Sequence, residues 1–427
     1  MTIVIFVGSL LGSMAIGTPV AIALLICGIA LMLHIGMLDS QILAQNLIGG
    51  ADSFALMAVP FFMLAGELMN AGGLSRRIIN IAITLVGHKR GGLGYVAIVA
   101  ALIMASISGS AVADTAALAA ILLPMMRNVG YNVPRAAALV AAGGIIAPVI
   151  PPSIGFVVFG VAAGVSITQL FMAGIVPGVI MATALTLTWW LVAGDEPVAH
   201  REKASSKQVI KALLDGLWAL GMPVIIVGGM RMGVFTPTEA AVVAASYAAF
   251  VGAFIYRELK FSDLRGVLLL SLKTSAAIMF LVAAAMVSAW LITIADVPGQ
   301  AASLLGPLIE HKTLLLIVMM LLVLVIGTVL DFIPTILILT PVFMPIVKQV
   351  GIDPVYFGVM FIIATAVGLM TPPVGTVINV ACAIAKTPME QVIKSALPFI
   401  LSQIIVIALL IIFPELVTAP GKWLMGR

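Results

Sequence analysis

SISGSAVAD (Ser106–Asp114), LPMMRNVGY (Leu123–Tyr131) and PPSIG (Pro151–Gly155) interrupt apolar sequence at three successive points. The second half answers them: Gly327, Thr328 and Asp331 stand at a short polar loop, MPIVKQVGI runs from Met344 to Ile352, and PPVG from Pro372 to Gly375. From Gly130 to Pro151 and from Gly351 to Pro372 the step is the same 21 residues. A Pro-Pro pair inside an apolar segment removes two backbone donors and frees carbonyls, which hydrocarbon does not tolerate unless protein, water or an ion satisfies them. Broken helices at matching places of two halves are the sequence mark of a midmembrane binding site in secondary transporters.

The composition names the solvent. Hydrophobic residues make up 63% of the 427 and charged residues 9%, against about 45–50% and about 25% in soluble domains. The expected fold class is an all-α polytopic membrane protein. The apolar runs are helix-length and lack the alternation of a β-barrel strand. The run from 3 to 33 is too long for a signal-peptide core and has no basic leader, so it reads as one permanent span. Cys27 and Cys382 lie in separate apolar runs and read as small buried residues rather than a disulfide or metal pair. In a membrane protein the net charge of +4 reports topology before it reports an anionic partner.

Further spans are expected near 52–71, 134–167, 170–193, 212–233, 238–256, 274–295, 354–386 and 397–418. The stretches 91–128 and 313–350 are interrupted midway and read as re-entrant hairpins that enter and leave on one side. With a cytoplasmic N-terminus, basic residues near Arg76–Arg77, Lys89–Arg90, Arg127, Arg135, Arg201–Lys211, Arg257–Lys273, Lys386 and Lys394 fall inside, leaving Arg231, Lys312, Lys348, Lys422 and Arg427 outside. That bias obeys the positive-inside rule. The first hairpin then opens to the cytoplasm and the second to the outside.

The repeat extends beyond the hairpins, because His88-Lys89 is echoed by His311-Lys312 before the second hairpin. Within one transporter unit of residues 1–427, the halves run over 39–193 and 261–418, joined by a connector with linking helices at 194–260. The extra span at 212–233 gives them opposite orientations, so the repeat is inverted. The mixed polar and apolar segments 39–50 and 261–272 read as interfacial arms or, alternatively, as plain solvated loops.

Hydroxyls and freed carbonyls are hard, neutral oxygen ligands suited to sodium, whereas magnesium or calcium sites collect carboxylates. One sodium set is Ser106, Ser108, Gly109, Gly144, Val149 and Pro151; the other is Gly327, Thr328, Gly368, Thr371 and Val374. Solute candidates beside them are Ser110, Asp114, Ser153, Thr376 and Asn379. No fixed cation lies there, so an anionic solute would rest on half-helix N-termini, hydroxyls and nearby sodium. Asp114 and Asp331 fall just past the hairpin tips, where each can cap the second hairpin helix or carry a proton. Thr236-Pro237-Thr238-Glu239 has the spacing of a capping box. Enzyme motifs such as His-Glu-x-x-His, Gly-x-Ser-x-Gly and a phosphate loop do not occur.

GGMRMGVFTPTEAA (Gly228–Ala241), SGSAVADTAA (Ser108–Ala117) and IIAPVIPPS (Ile145–Ser153) together resemble the large membrane subunit of TRAP (tripartite ATP-independent periplasmic) transporters, along the whole chain. The resemblance implies a multi-pass protein of the bacterial inner membrane, not an enzyme and with no nucleic-acid partner. It implies a separate small four-helix membrane subunit, a periplasmic solute-binding protein and sodium-driven import of a carboxylated solute by an elevator-type motion. Sialic acid is favoured over four-carbon dicarboxylates as the solute. The alternative is a stand-alone sodium- or proton-coupled organic anion carrier of similar architecture.

Overall fold

The first apolar run folds back on itself. Thr18 precedes a proline, which disfavours the helical region, and Pro19 has no N–H to continue a ladder. The chain therefore reverses at Gly17 (φ 85°) between α1 (Thr2–Ala15) and α2 (Val20–Ile35). These helices pack together, bringing Thr2 Oγ1 to 3.5 Å from His34 Nε2. The expected single span over 3–33 is thus corrected to a helical pair. The N-terminus shares a face with residues 35–40, opposite to the side expected for it. With no Lys or Arg before Arg76, the basic-residue bias survives unchanged.

This computed structural model describes residues 2–197, 203–304 and 310–426 and contains no strand among them. Part of the expected connector, with Arg201, part of the 296–312 outer loop, and Arg427 lie outside the described residues. After α2 come α3 (Ser40–Ala51), α4 (Ala58–Ala71) and α5 (Leu74–Val86), the last between the expected span at 52–71 and the expected hairpin at 91–128. The first hairpin is α6 (Gly92–Ser108) and α7 (Ala111–Val129). Its open end is held together where Tyr131 Oη accepts from Leu93 N at 3.3 Å. The first broken span is α8 (Val133–Gly144) and α9 (Ile154–Ala163), followed by α10 (Ile167–Val192).

Then come α11 (Ser206–Asp215), α12 (Leu217–Arg231) and α13 (Pro237–Phe250), which ends in a turn of π-helix. The expected capping box forms: Glu239 N donates to Thr236 Oγ1 at 3.3 Å, and Thr236 N to Glu239 Oε2 at 2.8 Å. Thr238 Oγ1 adds a bond to Phe54 O, fastening α13 to the start of α4. The second arm is not separate, because α14 (Phe261–Ile294) runs unbroken for 34 residues, about 51 Å at helical rise. α15 (Val297–Leu304) leads to the second hairpin, α16 (Lys312–Gly327) and α17 (Phe332–Val350). The second broken span is α18 (Pro354–Gly368) and α19 (Thr376–Ala385), before α20 (Met389–Ile412) and α21 (Glu415–Leu424).

Three of the nine expected spans, 3–33, 134–167 and 354–386, are therefore split. Among the described residues, seven helical segments are long and apolar enough to cross a membrane, or eight if the bent α11–α12 pair counts as one span; two of the seven are hairpin arms. The halves interdigitate. α7 packs on α19 and α17 on α9; α10 lies on α18 and α20 on α8. Phe159, Phe343, Phe357 and Phe361 form one aromatic cluster across this seam. Elsewhere Trp189 of α10, fully buried, donates to Gly91 O at 2.9 Å and stacks between Tyr131 and Phe399.

Removing that side chain opens a cavity and orphans a carbonyl, so Trp189→Ala is expected to destabilise the fold by about 3–5 kcal/mol. Thermal unfolding in detergent checks this. A melting temperature unchanged from the parent would show that Trp189 does not anchor the hairpin base.

Candidate functional site

Both hairpin tips end at the Pro-Pro breaks. The Pro151–Pro152 and Pro372–Pro373 peptide bonds, both cis, lie at their centres. At the second break Val374 N donates to Thr328 O of the hairpin tip at 3.2 Å. Gly327 and Gly368 meet backbone to backbone there, since a Cβ on Gly368 would lie 2.9 Å from Gly327 Cα. At the first break Gly109 (φ 62°) sits so close to the Pro152 carbonyl that a side chain would collide with it. A tip reaching only to the middle of a broken span is what makes each hairpin re-entrant.

The half-helices beyond the breaks start differently. Ser153 caps α9: its Oγ accepts from Phe156 N at 3.2 Å and donates to Pro148 O, one of the carbonyls the break leaves free. At α19 the N-cap is Gly375 (φ 54°), and Asn379 Nδ2 satisfies Val374 O at 2.8 Å instead. Ser153 is 0% exposed, whereas Val374 is 42% exposed and Asn379 is exposed beside it. The first break is sealed and the second is open.

The first sodium set comes together in part. Ser108 Oγ donates to Asp114 Oδ1 and also accepts from Ser110 N at 3.2 Å. Gly144 lies against Thr115 Oγ1 and the Ala111 carbonyl, so α8 touches the start of α7 here. Ser106 Oγ bonds back to Ile103 O of its own helix, and the Val149 carbonyl lies against Gly174 of α10. In the second set Thr328 Oγ1 and Thr371 Oγ1 donate to Val325 O (2.7 Å) and Val367 O (2.8 Å), leaving hydroxyl lone pairs uncommitted. Ser110 is half-buried at the first tip, and Thr376 is half-buried at the start of α19, just past the second break.

Neither aspartate caps its helix. Ser110 does so at α7, accepting from Ala113 N at 3.4 Å, and Asp331 stands at the N-cap of α17 without a side-chain bond. Asp114 instead bonds Ser108, so the first set is not a purely neutral cage. Two buried oxygens there, Asp114 Oδ2 and Thr115 Oγ1, have no hydrogen-bond partner among the described residues. An unpaired carboxylate oxygen away from water is costly, and a small cation between hard oxygens fits that donor set. Thr115 escaped the sequence reading although it directly follows Asp114 in the quoted motif. Gly66 of α4, against Ser108, carried no sequence signal.

Comparison with known proteins identifies the family. The family described as "Tripartite ATP-independent periplasmic transporter, DctM component" matches residues 7–416. The 2,3-diketo-L-gulonate TRAP transporter large permease protein YiaN of Escherichia coli (strain K12) is 55% identical over 424 residues, covering 99% of this chain and all of that one. The sialic acid TRAP transporter large permease protein SiaM of Vibrio cholerae is 36% identical, covering 96% of each chain. The crystal structure of the Alcanivorax borkumensis YdaH transporter superposes with a TM-score of 0.61 at 17% identity, over 91% of this chain and 90% of that one, a likeness of fold. The hairpins, the breaks and these matches lead to one statement: the chain belongs to the tripartite ATP-independent periplasmic transporter family as its DctM component, a large permease of the inner membrane and a transporter rather than an enzyme.

Proposed function

We propose that this permease couples sodium entry to import of a carboxylated solute by moving α6–α10 and α16–α21 as one body against a frame of α1–α4 and α12–α14. The observation that carries the reading is the docking of both hairpin tips on both breaks, with uncommitted hydroxyl oxygens at each and an unpartnered carboxylate oxygen of Asp114 at the first. The interdigitated halves support a single moving body, since each broken helix is packed by elements of the other half. For the solute, we place a sugar-derived acid of the 2,3-diketo-L-gulonate kind ahead of sialic acid, because the relative named for it shares 55% of its residues with this chain. The open second break, with Thr376 and Asn379, would receive the solute carboxylate. Partners in this reading are a small membrane subunit, a periplasmic binding protein and the surrounding lipid.

Uptake in proteoliposomes is expected to require a sodium gradient. Ser108→Ala or Thr371→Ala should raise the sodium needed for half-maximal uptake about tenfold, or roughly 1.4 kcal/mol. Equal uptake on a proton gradient in sodium-free buffer would exclude sodium coupling.

The frame meets the first hairpin at Gly66, where a Cβ would lie 3.7 Å from Ser108 Cβ, within disulfide reach. In a background lacking Cys27 and Cys382, Gly66→Cys with Ser108→Cys should lose uptake on oxidation at saturating sodium and regain it on reduction. Full activity in the oxidised form would point to local gating instead of body movement.

Solute capture belongs to the binding protein in this scheme, and uptake should be negligible until it is added. Asp296, exposed ahead of the second hairpin, and Lys312, exposed at its first residue, are expected to serve docking. Reversing either charge should raise the binding-protein concentration needed for half-maximal uptake while leaving the sodium requirement alone. Robust uptake by the permease without binding protein would favour a stand-alone carrier.

A further inference from the structure

A groove of about 840 Å³ opens between α5, the α11–α12 bend and the end of α13, apart from the hairpins and breaks. Its polar lining includes Arg76, Asn80, Thr84, Gln208 and Lys211, with Trp218 at the rim. Two carboxylates also face it, Glu258 and Asp215. Glu258 is already engaged: Arg77 Nη1 lies 2.7 Å from Oε1, and the same guanidinium stacks 3.6 Å above the Tyr256 ring. Arg76 reaches the other Glu258 oxygen only at 3.8 Å, with its side chain 70% exposed. Lys211 makes no salt bridge among the described residues. Arg76, Arg77 and Lys211 against Glu258 and Asp215 leave one positive charge over, carried by the two least engaged cations.

The groove's surroundings identify its anion. α11 turns 56° from α12, so it does not continue the span. It exposes Ile210 and Leu213 on one side while Lys207 and Lys211 are exposed on another, and Trp218 follows, exposed, at the head of α12. A short helix with apolar and basic sides beside an exposed tryptophan is the pattern of one lying in the membrane–water boundary. The face is the one richer in Lys and Arg. Basic pockets between transmembrane helices on that side accept anionic headgroups.

We propose that this groove binds the headgroup of an anionic phospholipid, its phosphate held between Arg76 and Lys211 and its polar remainder by Asn80, Thr84 and Gln208. Because Arg76 belongs to α5 and Lys211 to α11, a bound lipid ties the helix leading into the first hairpin to the interfacial helix beside it.

The purified full chain, in neutral detergent, is to be supplied with phosphatidylglycerol, phosphatidylcholine or inorganic phosphate at matched phosphate. Retained lipid is read by native mass spectrometry and stability by melting temperature. Phosphatidylglycerol is expected to be retained and to raise the melting temperature, the other two not. Arg76→Gln with Lys211→Gln should cut retention about tenfold, while Lys394→Gln, on another surface, should leave it at the parent level. Should the double variant elute as aggregate, Lys211→Met alone, at an exposed position, should still lower retention severalfold. Equal retention of the two lipids, or undiminished retention in both variants, would overturn the site. Equal stabilisation by inorganic phosphate would overturn the lipid in favour of a soluble anion.

Discussion

The freed backbone groups at the two Pro-Pro breaks are the constraint on which the rest of the structure depends. In an apolar interior no water stands by to satisfy them. Pro148 O is taken by Ser153 Oγ, Val374 O by Asn379 Nδ2, and Val374 N by Thr328 O. Two of these partners are side chains of the half-helix that follows the break. The third is the backbone of a hairpin tip that arrives from elsewhere in the chain. Hairpin and break are thus one unit, and the polar surface left over at their meeting point is available to a ligand.

Bringing a hairpin tip to a break demands close backbone approach, which explains where glycine is placed. Gly109 and Gly368 sit at the junctions, where a Cβ would strike a facing backbone, that of Gly327 in the second case. Away from the junctions the logic is different, because helices in lipid gain nothing from hiding apolar surface from water and rely on fit. Gly155 receives the ring of Phe332, Gly358 that of Phe159, and Gly94 the indole of Trp189. Each such pairing joins separate helices, and the first two join the two halves. A body fastened in this way moves whole.

Much of this was legible because proline and glycine punctuation survives in any context. The hairpins at 91–128 and 313–350, both breaks and the Thr236–Glu239 box all rest on local rules. What escaped rests on long-range packing. The apolar run 3–33 reads as one span until the pairing of α1 with α2 shows its Thr-Pro step to be a reversal. The segment 261–272 looked like a separate arm, yet Leu268, Leu269 and Leu270 carry its helix into the following span. At the site the residue types were readable, but the orientation of each oxygen was not. Ser106 bonds within its own helix, Val149 faces α10, and Asp114 turns to Ser108 rather than to the helix end.

The unequal sealing of the two breaks has a kinetic consequence. α10 closes over the first, with Gly174 against Val149 O and Gly178 against Ile150, and Ser153 is shut away. The second leaves Pro373, Val374 and Asn379 open. In this conformation an occupant of the second break would exchange with the surroundings directly, while an occupant of the first would wait for packed helices to part. Two halves of like plan would thereby acquire a sequence of departure, a direction in time that the repeated motif alone does not contain.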